Sequence, residues 1–470
     1  MKKYLLAFCS VALLFGSCKK DDDNNNSPVT PSAYEEITGD ISTNKTLDAS
    51  KKYMLKGFVY VTQGATLTIP AGTIIVGDKS TKGTLVVTRG AKIDAQGTAS
   101  KPIIFTSAQA AGARREGDWG GVILLGKAPI NPTGGEAKIE GGLVPTAGGD
   151  EKTYIYFGGS DANDNSGTMK YVRIEFAGIA YSPDNEINGL TMGGVGAGTT
   201  LSYIQVYRSG DDAYEWFGGT VNADHLVASY TWDDDFDTDN GFSGKVQFCV
   251  GQRYKTIADQ SGSNGFESDN DANGSDNKPQ TKAMFSNMTV IGPITAGNTG
   301  TYNANFQNGA QIRRNSSQSI YNSIIIGFPI GVYIDGTKGT STIKNTGATG
   351  IEGPLSFKNN IIAGCTTPWK SDASATADST AWKNFKGQAS NTVIAKAEDV
   401  LMVDPNKHSE AISTTPGRPN FLLQAASPAM TGADFTGLSG FQSVSYRGAF
   451  DGANDWTAGW TTWAAESTAY

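Results

Sequence analysis

Residues 168–178 read TMKYVRIEFAG, and this strand-like stretch recurs along the chain. Similar stretches follow as TLSYIQVYRSG at 200–210, KVQFCVG at 245–251, SNMTVIG at 286–292, YNSIIIG at 321–327 and KNNIIAG at 358–364. Each ends at a glycine, and one further copy, DHLVAS at 224–229, lacks it. Apolar residues at alternate positions are typical of β-strands, because successive side chains of a strand point to opposite faces.

The spacing of the copies predicts how they are arranged. Their terminal glycines are separated by 32, 41, 41, 35 and 37 residues, and the first interval of 41 contains the copy without a glycine. Internal periods of about 20–50 residues are typical of solenoids, in which stacked coils bury an apolar side that one coil cannot bury alone. A β-sandwich would also contain short strands, but it does not favour one motif with a recurring glycine stop. The repeat therefore predicts an all-β protein, a parallel β-helix.

The chain before the repeat fits the same architecture. A strand is predicted at 53–61, followed by GATLTIPAGTII at 64–75, GTLVV at 83–87, GAKIDAQG at 90–97 and KPIIFT at 101–106. This order, together with DWGGVIL at 118–124, closely resembles the entry coils of right-handed β-helix proteins. The resemblance implies a right-handed parallel β-helix (solenoid).

Composition excludes several classes of function. The net charge of −8 argues against a nucleic-acid partner, because phosphate backbones require a basic surface. Two histidines, His225 and His408, argue against Ser/His/Asp hydrolysis and against histidine-rich zinc sites. Cys249 and Cys365 lie about three coils apart, roughly 14 Å at 4.8 Å per strand, which is beyond the reach of a disulfide.

The N-terminus has the pattern of a targeting segment. Two lysines precede an apolar run from Tyr4 to Phe15, which is too short to span a bilayer and is typical of a signal peptide. The following LFGSC at 14–18 resembles the lipobox of bacterial lipoproteins, in which the chain is cleaved before the cysteine and lipid is attached to it. We therefore expect a signal peptide at 1–17, a lipidated Cys18, a flexible tether at 18–35 and a single β-helix domain at 36–470.

Two further features carry a family resemblance. The tether sequence KKDDDNNN at 19–26 resembles the acidic export signal of Bacteroidota surface lipoproteins, which implies an outer-membrane protein facing the cell exterior. YRGAF at 446–450 precedes three tryptophans, Trp456, Trp460 and Trp463, at helical spacing, so we expect a short amphipathic helix within about 440–470 to cap the open solenoid. Taken together, the chain resembles β-helix surface lipoproteins of the Bacteroidota, a group that implies fold and location but no activity.

The acidic and aromatic middle of the chain is the candidate site. Carboxylates cluster at 211–219 and 232–242, between consecutive strands, so they should stack along one edge of the solenoid. Stacked carboxylates repel one another unless a metal, basic side chains or raised pKa values neutralise them. We expect ligand-binding roles for Glu215, Trp216, Trp232 and Asp235, with aromatic faces on sugar rings, although a solvated acidic turn region and aromatic core positions are the alternatives.

Calcium is the expected cofactor. The stretch DNDANG at 269–274 matches the first half of a calcium loop and offers Asp269, Asp271 and Asn273 as ligands, because alternate oxygen side chains converge around a glycine turn. Gln280 replaces the glutamate that would close an EF-hand loop.

The sequence favours binding over catalysis. β-Helices include pectin-type lyases and polygalacturonases, and a calcium lyase would need carboxylates with a basic side chain as the base. Asp212, Asp235 and Arg253 are weak catalytic candidates on this reasoning. We expect an outer-membrane surface lipoprotein whose β-helix binds a polysaccharide or an outer-membrane protein. The alternatives are a calcium-dependent polysaccharide lyase or hydrolase, and a structural accessory of an uptake complex.

Overall fold

The computed structural model describes residues 34–182, 185–294, 301–346, 355–372, 380–388, 390–407 and 418–470. Within these residues, 28 strands form one sheet whose strand pairs are parallel, and the sheet winds into a solenoid. The predicted right-handed parallel β-helix is confirmed. The predicted signal peptide, Cys18 and nearly all of the tether lie outside the described residues, and no described helix is both long and apolar enough to cross a membrane.

Successive coils build three faces, each a ladder of parallel strands. The first face contains Lys45–Thr46, Thr66–Ile69, Lys92–Gln96, Gly167–Glu175, Thr200–Tyr207, Ala223–Ser229, Lys245–Gln247, Met284–Ser286, Ser319–Tyr321 and Phe357–Lys358. The second face contains Glu35–Ile41, Lys52–Val61, Ile74–Gly77, Ile103–Ser107, the second halves of the three long strands of the first face, Val250–Gln252, Thr289–Ile291, Ile324–Ile326, Ile361–Ala363 and Thr392–Ile394.

The third face positions the candidate site. It contains the second half of Lys52–Val61, then Thr84–Val87, Val122–Leu125, Leu190–Gly193, Tyr214–Phe217, Phe236–Asp239, Phe266–Ser268, Asn308–Ile312, Ile330–Ile334 and Thr367–Ser371. Three antiparallel pairs and four short helices complete the described elements: Ala137–Lys138 with Tyr156–Phe157, Ala180–Ser182 with Asn185–Glu186, Met402–Asp404 with Asn420–Leu423, and helices Glu151–Tyr154, Thr342–Thr346, Thr380–Lys386 and Ala397–Val400.

The copies of the predicted repeat are strands of the first two faces, and they pair with one another in register. Thr168 pairs with Thr200, and Ser202 pairs with Asp224 in the copy that lacks the glycine. Each copy bends between the two faces at one residue with a left-handed backbone: Tyr171, Tyr203, His225, Phe248, Asn287, Asn322 and Asn359. Such a conformation costs about 1 kcal/mol outside glycine. Stacking offsets this cost, since the ring of Tyr203 lies 4.5 Å from that of Tyr171 and 4.3 Å from that of His225.

The C-terminal segment, residues 420–470, covers the outer side of the second face. It runs back along the solenoid, from Gly448 beside Asn322 to Tyr470, whose carbonyl oxygen accepts a hydrogen bond from Lys52 at 2.7 Å. The structure thus corrects the expected helical end cap, because residues 440–470 form no helix and pack along the side. The reason is that this side of the solenoid offers an apolar surface, on which Trp460 is buried against the rings of Tyr171 and Tyr203.

A different element packs near the C-terminal end of the solenoid. Helix Thr380–Lys386 places Trp382 and Phe385 against Phe357 and Trp369 of the interior core. The two cysteines of the solenoid are free thiols, with Cys249 buried in the interior.

Candidate functional site

An acidic pocket of about 490 Å³ opens on the outer side of the third face. It is lined by Glu140, Ala180, Glu186, Gly210, Asp211, Asp212, Glu215, Trp232, Asp233, Asp237, Asp259, Gln260 and Ser261. Eight of these residues carry carboxylates, and none of the described lining residues is a lysine or an arginine. The pocket therefore concentrates negative charge that its own walls do not neutralise.

Parallel register creates part of this cluster. Glu215 pairs with Asp237, and Asp237 pairs with Glu267 on the next coil. Paired positions of neighbouring strands lie about 4.8 Å apart, so the three carboxylates form a column. The residues before them in their strands, such as Tyr214 and Phe236, point inward and are fully buried. The interior aromatic residues that stabilise the coils thus fix the outward carboxylates.

A second column lies at the bend that leads into the third face. The Oδ1 atom of Asp212 accepts a hydrogen bond from the Asp234 amide at 2.7 Å, and Oδ1 of Asp234 accepts one from the Asn264 amide at 2.5 Å. Asn264 repeats the arrangement, because its Oδ1 accepts the Asn308 amide at 3.1 Å. A neutral amide oxygen therefore satisfies this position at Asn264, so the hydrogen bond made there by Asp212 and Asp234 does not itself require a negative charge.

Burial and mutual repulsion disfavour ionisation in the pocket. Burial first, and neighbouring carboxylates second, raise the pKa well above the usual value for Asp211, Asp212, Glu215, Asp233, Asp237 and Glu267. Burial also raises the pKa of Asp234 to about 6, against the opposing effect of Arg253, and raises that of Asp239 to about 8 with the help of Asp269. At neutral pH these carboxyl groups are stabilised by taking up protons or a cation.

Three groups of carboxylates lie close enough together to hold a cation. Three overlapping triads each bring one oxygen per residue within 4.8 Å of the others: Asp211–Asp212–Asp233, Asp212–Glu215–Asp237 and Asp234–Asp237–Glu267. Calcium takes oxygen ligands at about 2.3–2.6 Å, so ligands of one ion lie at such mutual distances. The Oδ1 atoms of Asp233 and Asp237 are buried and have no hydrogen-bond partner among the described residues. Asp212 and Asp237 would be shared between triads.

Three of the sequence-predicted residues meet in this pocket. Asp212 and Glu215 are buried in its wall, with 6% and 8% of their surface exposed, and Trp232 lines it with 43% exposed. The Trp232 ring is therefore accessible to a ligand.

Trp216 does not belong to the site, which corrects its predicted ligand-binding role. It is fully buried in the solenoid interior, where its ring stacks on Phe242 at 5.3 Å. The physical reason is strand alternation, because Trp216 follows the outward Glu215 and must point to the opposite side.

Asp235 and Arg253 are also removed from ligand contact. Both are fully buried and form an ion pair of 2.7 Å, in which Arg253 additionally donates to Thr231 Oγ1 at 3.0 Å. A buried ion pair of this kind holds the turn before Phe236 against the next coil. The structure thus corrects the binding role predicted for Asp235 and the catalytic roles predicted for this pair.

The predicted calcium loop uses its carboxylates in another way. Asp269 forms ion pairs with Arg313 at 2.8 Å and Arg314 at 2.5 Å. Asp271 closes a local turn by accepting the amides of Asn273 at 2.9 Å and Ser275 at 3.1 Å. The calcium role of Asp269, Asp271 and Asn273 stays a prediction, and the triads that could hold an ion in the described chain lie in or beside the acidic pocket.

Glu140 and Glu186 line the pocket but were missed from the sequence. Glu140 belongs to the excursion at 126–166, and Glu186 belongs to the short strand Asn185–Glu186, outside the three faces. The repeat gives no register for such excursions, so no sequence signal placed these residues beside Glu215.

Comparisons with known proteins extend this description. The structure is similar to a crystal structure of pectate lyase Pel9A, at 12% identity and a TM-score of 0.39, over 89% of this chain and 96% of that one. It is also similar to the Dettilon tailspike protein (gp208), at 11% identity and a TM-score of 0.26, over 74% and 62%. No curated protein matches the sequence. Residues 39–461 match the family described as the pectate-lyase-like β-helix domain, and the chain belongs to that family.

Proposed function

We propose that this protein is a lipid-anchored surface protein of the outer membrane that binds a glycan, with calcium, in the acidic pocket. The anchor would be Cys18, on the strength of the lipobox and the acidic tether that follows it. The pocket would face the cell exterior. An outer-membrane protein partner and a structural role in an uptake complex are the alternatives from the sequence, and neither explains the concentration of carboxylates.

The observation that carries the proposal is the pairing of carboxylate triads with one accessible indole. Asp212, Glu215 and Asp237 would hold the ion, because their oxygens already lie within the spacing that calcium ligands adopt. Trp232, at the rim, offers an apolar face for a sugar ring and is otherwise an unusually exposed tryptophan. Calcium would supply the positive charge that the described walls of the pocket lack.

A calcium-dependent polysaccharide lyase or hydrolase is the second candidate, and the family match favours it. A lyase needs a general base within hydrogen-bond reach of the substrate. Arg253, the predicted base, is buried against Asp235, and no described residue lining the pocket is basic. The lyase therefore lacks the basic residue that the sequence predicted for it. A hydrolase would instead use two of the pocket carboxylates as acid and base, and an assay for released products separates it from binding.

A glycan array probed with the purified chain tests the proposal. We expect retention of one polysaccharide class with calcium and loss of retention with chelator. Asp212→Asn should lose retention while remaining folded, because the amide oxygen can still accept the Asp234 amide. Asp276→Asn is the matched control, since this side chain is 63% exposed and lies outside the pocket.

Two outcomes would overturn the proposal. Absence of glycan retention in both conditions contradicts glycan binding and directs attention to an outer-membrane protein partner. Release of unsaturated or hydrolysed products from the retained polysaccharide, abolished by Asp212→Asn, would replace the binding role with the catalytic alternative.

A further inference from the structure

A second cleft lies between the solenoid wall and the C-terminal segment. It has a volume of about 280 Å³ and is lined by His225, Phe248, Gln442, Val444, Tyr446, Ala449, Asp451, Asn454 and Trp456. Pockets for drug-sized ligands occupy about 300–1,000 Å³, so this cleft suits a small molecule or a single chemical group. It shares no residue with the acidic pocket.

Four rings form a continuous wall of this cleft. The His225 ring lies 5.0 Å from the Trp456 ring, nearly perpendicular to it, and 5.4 Å from the Phe248 ring. The Phe248 ring in turn lies 6.3 Å from that of Tyr446. Two of the rings come from the solenoid and two from the C-terminal segment, so the cleft exists only when the segment is docked.

The rings are held in place by contacts behind them. Trp456 stacks on Phe450 at 5.0 Å with an interplanar angle of 4°, and its Nε1 atom donates to the Ala449 carbonyl at 2.8 Å. His225 is fixed from the side, since its Nδ1 atom lies 2.6 Å from Oδ1 of Asp224. A preformed wall of this kind loses little conformational entropy when a ligand binds.

One carboxylate gives the cleft a negative charge. Asp451 lines the cleft together with Tyr446. Burial first and the charge of Asp451 second raise the pKa of Tyr446 to about 12. Burial acts to raise the pKa of Asp451 itself, but the amides of Asn454 and Ala453 outweigh it and hold this pKa below the usual value. None of the described residues lining the cleft is a lysine or an arginine.

We propose that this cleft binds a quaternary or methylated ammonium group, whose cation contacts the aromatic rings and pairs with Asp451. The faces of aromatic rings carry negative potential and attract organic cations, and a nearby carboxylate adds to that attraction. A hard divalent ion is a poor ligand here, because it requires several oxygen ligands rather than rings. A neutral sugar would leave the Asp451 charge without a counter-ion.

Calorimetric titration of the purified full-length chain with choline tests this proposal, with 3,3-dimethylbutan-1-ol as the neutral probe of the same shape. We expect choline to bind at least about fivefold more tightly than the neutral alcohol, a ratio within the range of cation–π and charge effects. Equal binding of the two compounds would overturn the cationic ligand class. Absence of binding by choline at millimolar concentration would overturn the site.

Variants locate the binding and separate it from folding. Asp451→Asn should weaken choline binding about fivefold while keeping an oxygen that accepts the Ala453 and Asn454 amides. Tyr446→Phe should preserve choline binding because it keeps the ring, whereas Tyr446→Leu should abolish it. The thermal unfolding midpoint of each variant should equal that of the unmodified chain, which shows that the variant is folded. Unaltered choline binding by Tyr446→Leu and Asp451→Asn would place the bound choline elsewhere and contradict the proposal.

Discussion

The outer sides of the second and third faces use the same fold in opposite ways. Several outward residues of the second face are apolar, such as Val227 and Val250, and the C-terminal segment covers this face and hydrogen-bonds to it through Thr462 and Gln205. Outward residues of the third face at neighbouring coils are Glu215, Asp237 and Glu267, and the first two line an open pocket. The difference teaches that the inward residues maintain the coil, while the outward residues decide whether a face is covered or exposed to ligands.

The outward residues of the third face change from apolar to acidic along the solenoid axis. Its first outward positions are Tyr60, Val86 and Ile123, which pair in register and pack under residues from the excursion at 126–166. Thr191 and Glu215 continue the same column one and two coils later. The apolar cover therefore ends where the carboxylates begin, so one register column holds both a small core and the candidate site.

The largest expected effect comes from breaking the covered face. Trp460→Ala should lower the free energy of unfolding by about 3–5 kcal/mol, because a ring with 1% exposure leaves a cavity between the segment and the second face. Urea denaturation measures this loss. Trp232→Ala on the open face is the matched control and should change stability by less than about 0.5 kcal/mol. Similar losses in both variants would contradict the distinction between the two faces.

The open face should make stability depend on pH in the absence of calcium. Carboxyl groups whose pKa is raised in the folded state favour folding below the unfolded pKa of 3.8 and lose that contribution as pH rises through the folded pKa, about 6 for Asp234 and about 8 for Asp239. At these two pKa values we expect the chelated protein to lose about 5 kcal/mol between pH 5 and pH 8. Calcium should restore most of it at pH 8. Chelated protein that is more stable at pH 8 than at pH 5 would refute this electrostatic description.

Neutralising one of these carboxylates tests the same repulsion at a single position. Asp234→Asn should raise the free energy of unfolding of the chelated protein at pH 8 by about 1–2 kcal/mol, because it removes repulsion and retains the oxygen that accepts the Asn264 amide. Asp276→Asn should leave stability unchanged, since this exposed carboxylate lies 3.4 Å from Lys344 and asparagine keeps an oxygen that accepts the hydrogen bond from Asn315 Nδ2. Destabilisation by Asp234→Asn in chelated protein would mean that the fold requires the charge.

The smallest expected effect concerns the rim of the pocket. Trp232→Ala should weaken binding of the retained glycan about 2–10-fold, the contribution of one aromatic contact. Isothermal titration with the glycan found on the array measures this change. Trp232→Phe should recover most of the affinity. An unchanged affinity in the alanine variant would remove Trp232 from the binding surface.

The fold could be predicted from the sequence because a solenoid repeats one local strand pattern in successive coils. The copies of the repeat coincide with paired strands. This includes the copy at 224–229, which lacks the terminal glycine. Alternation would also have placed Trp216 correctly, since it follows the outward Glu215 in the same strand.

Other parts of the site depend on contacts that the repeat does not encode. The ion pair of Asp235 with Arg253 joins neighbouring coils through a bend, where strand alternation no longer fixes the direction of side chains. Glu140 comes from an excursion of unrelated sequence. The side-on docking of Trp460 follows from the apolar outer positions of the second face, which the spacing of the tryptophans alone does not reveal.

Calorimetric titration with calcium at pH 6, in two buffers of different ionisation enthalpy, tests the central claim most directly. We predict saturable binding with proton release, because calcium displaces protons from carboxyl groups whose pKa is raised. Asp212→Asn should weaken calcium binding about tenfold or more, and Asp276→Asn should not. Absence of calcium binding to the unmodified chain, or equal binding by Asp212→Asn, would contradict the assignment of the acidic pocket as a calcium-dependent site.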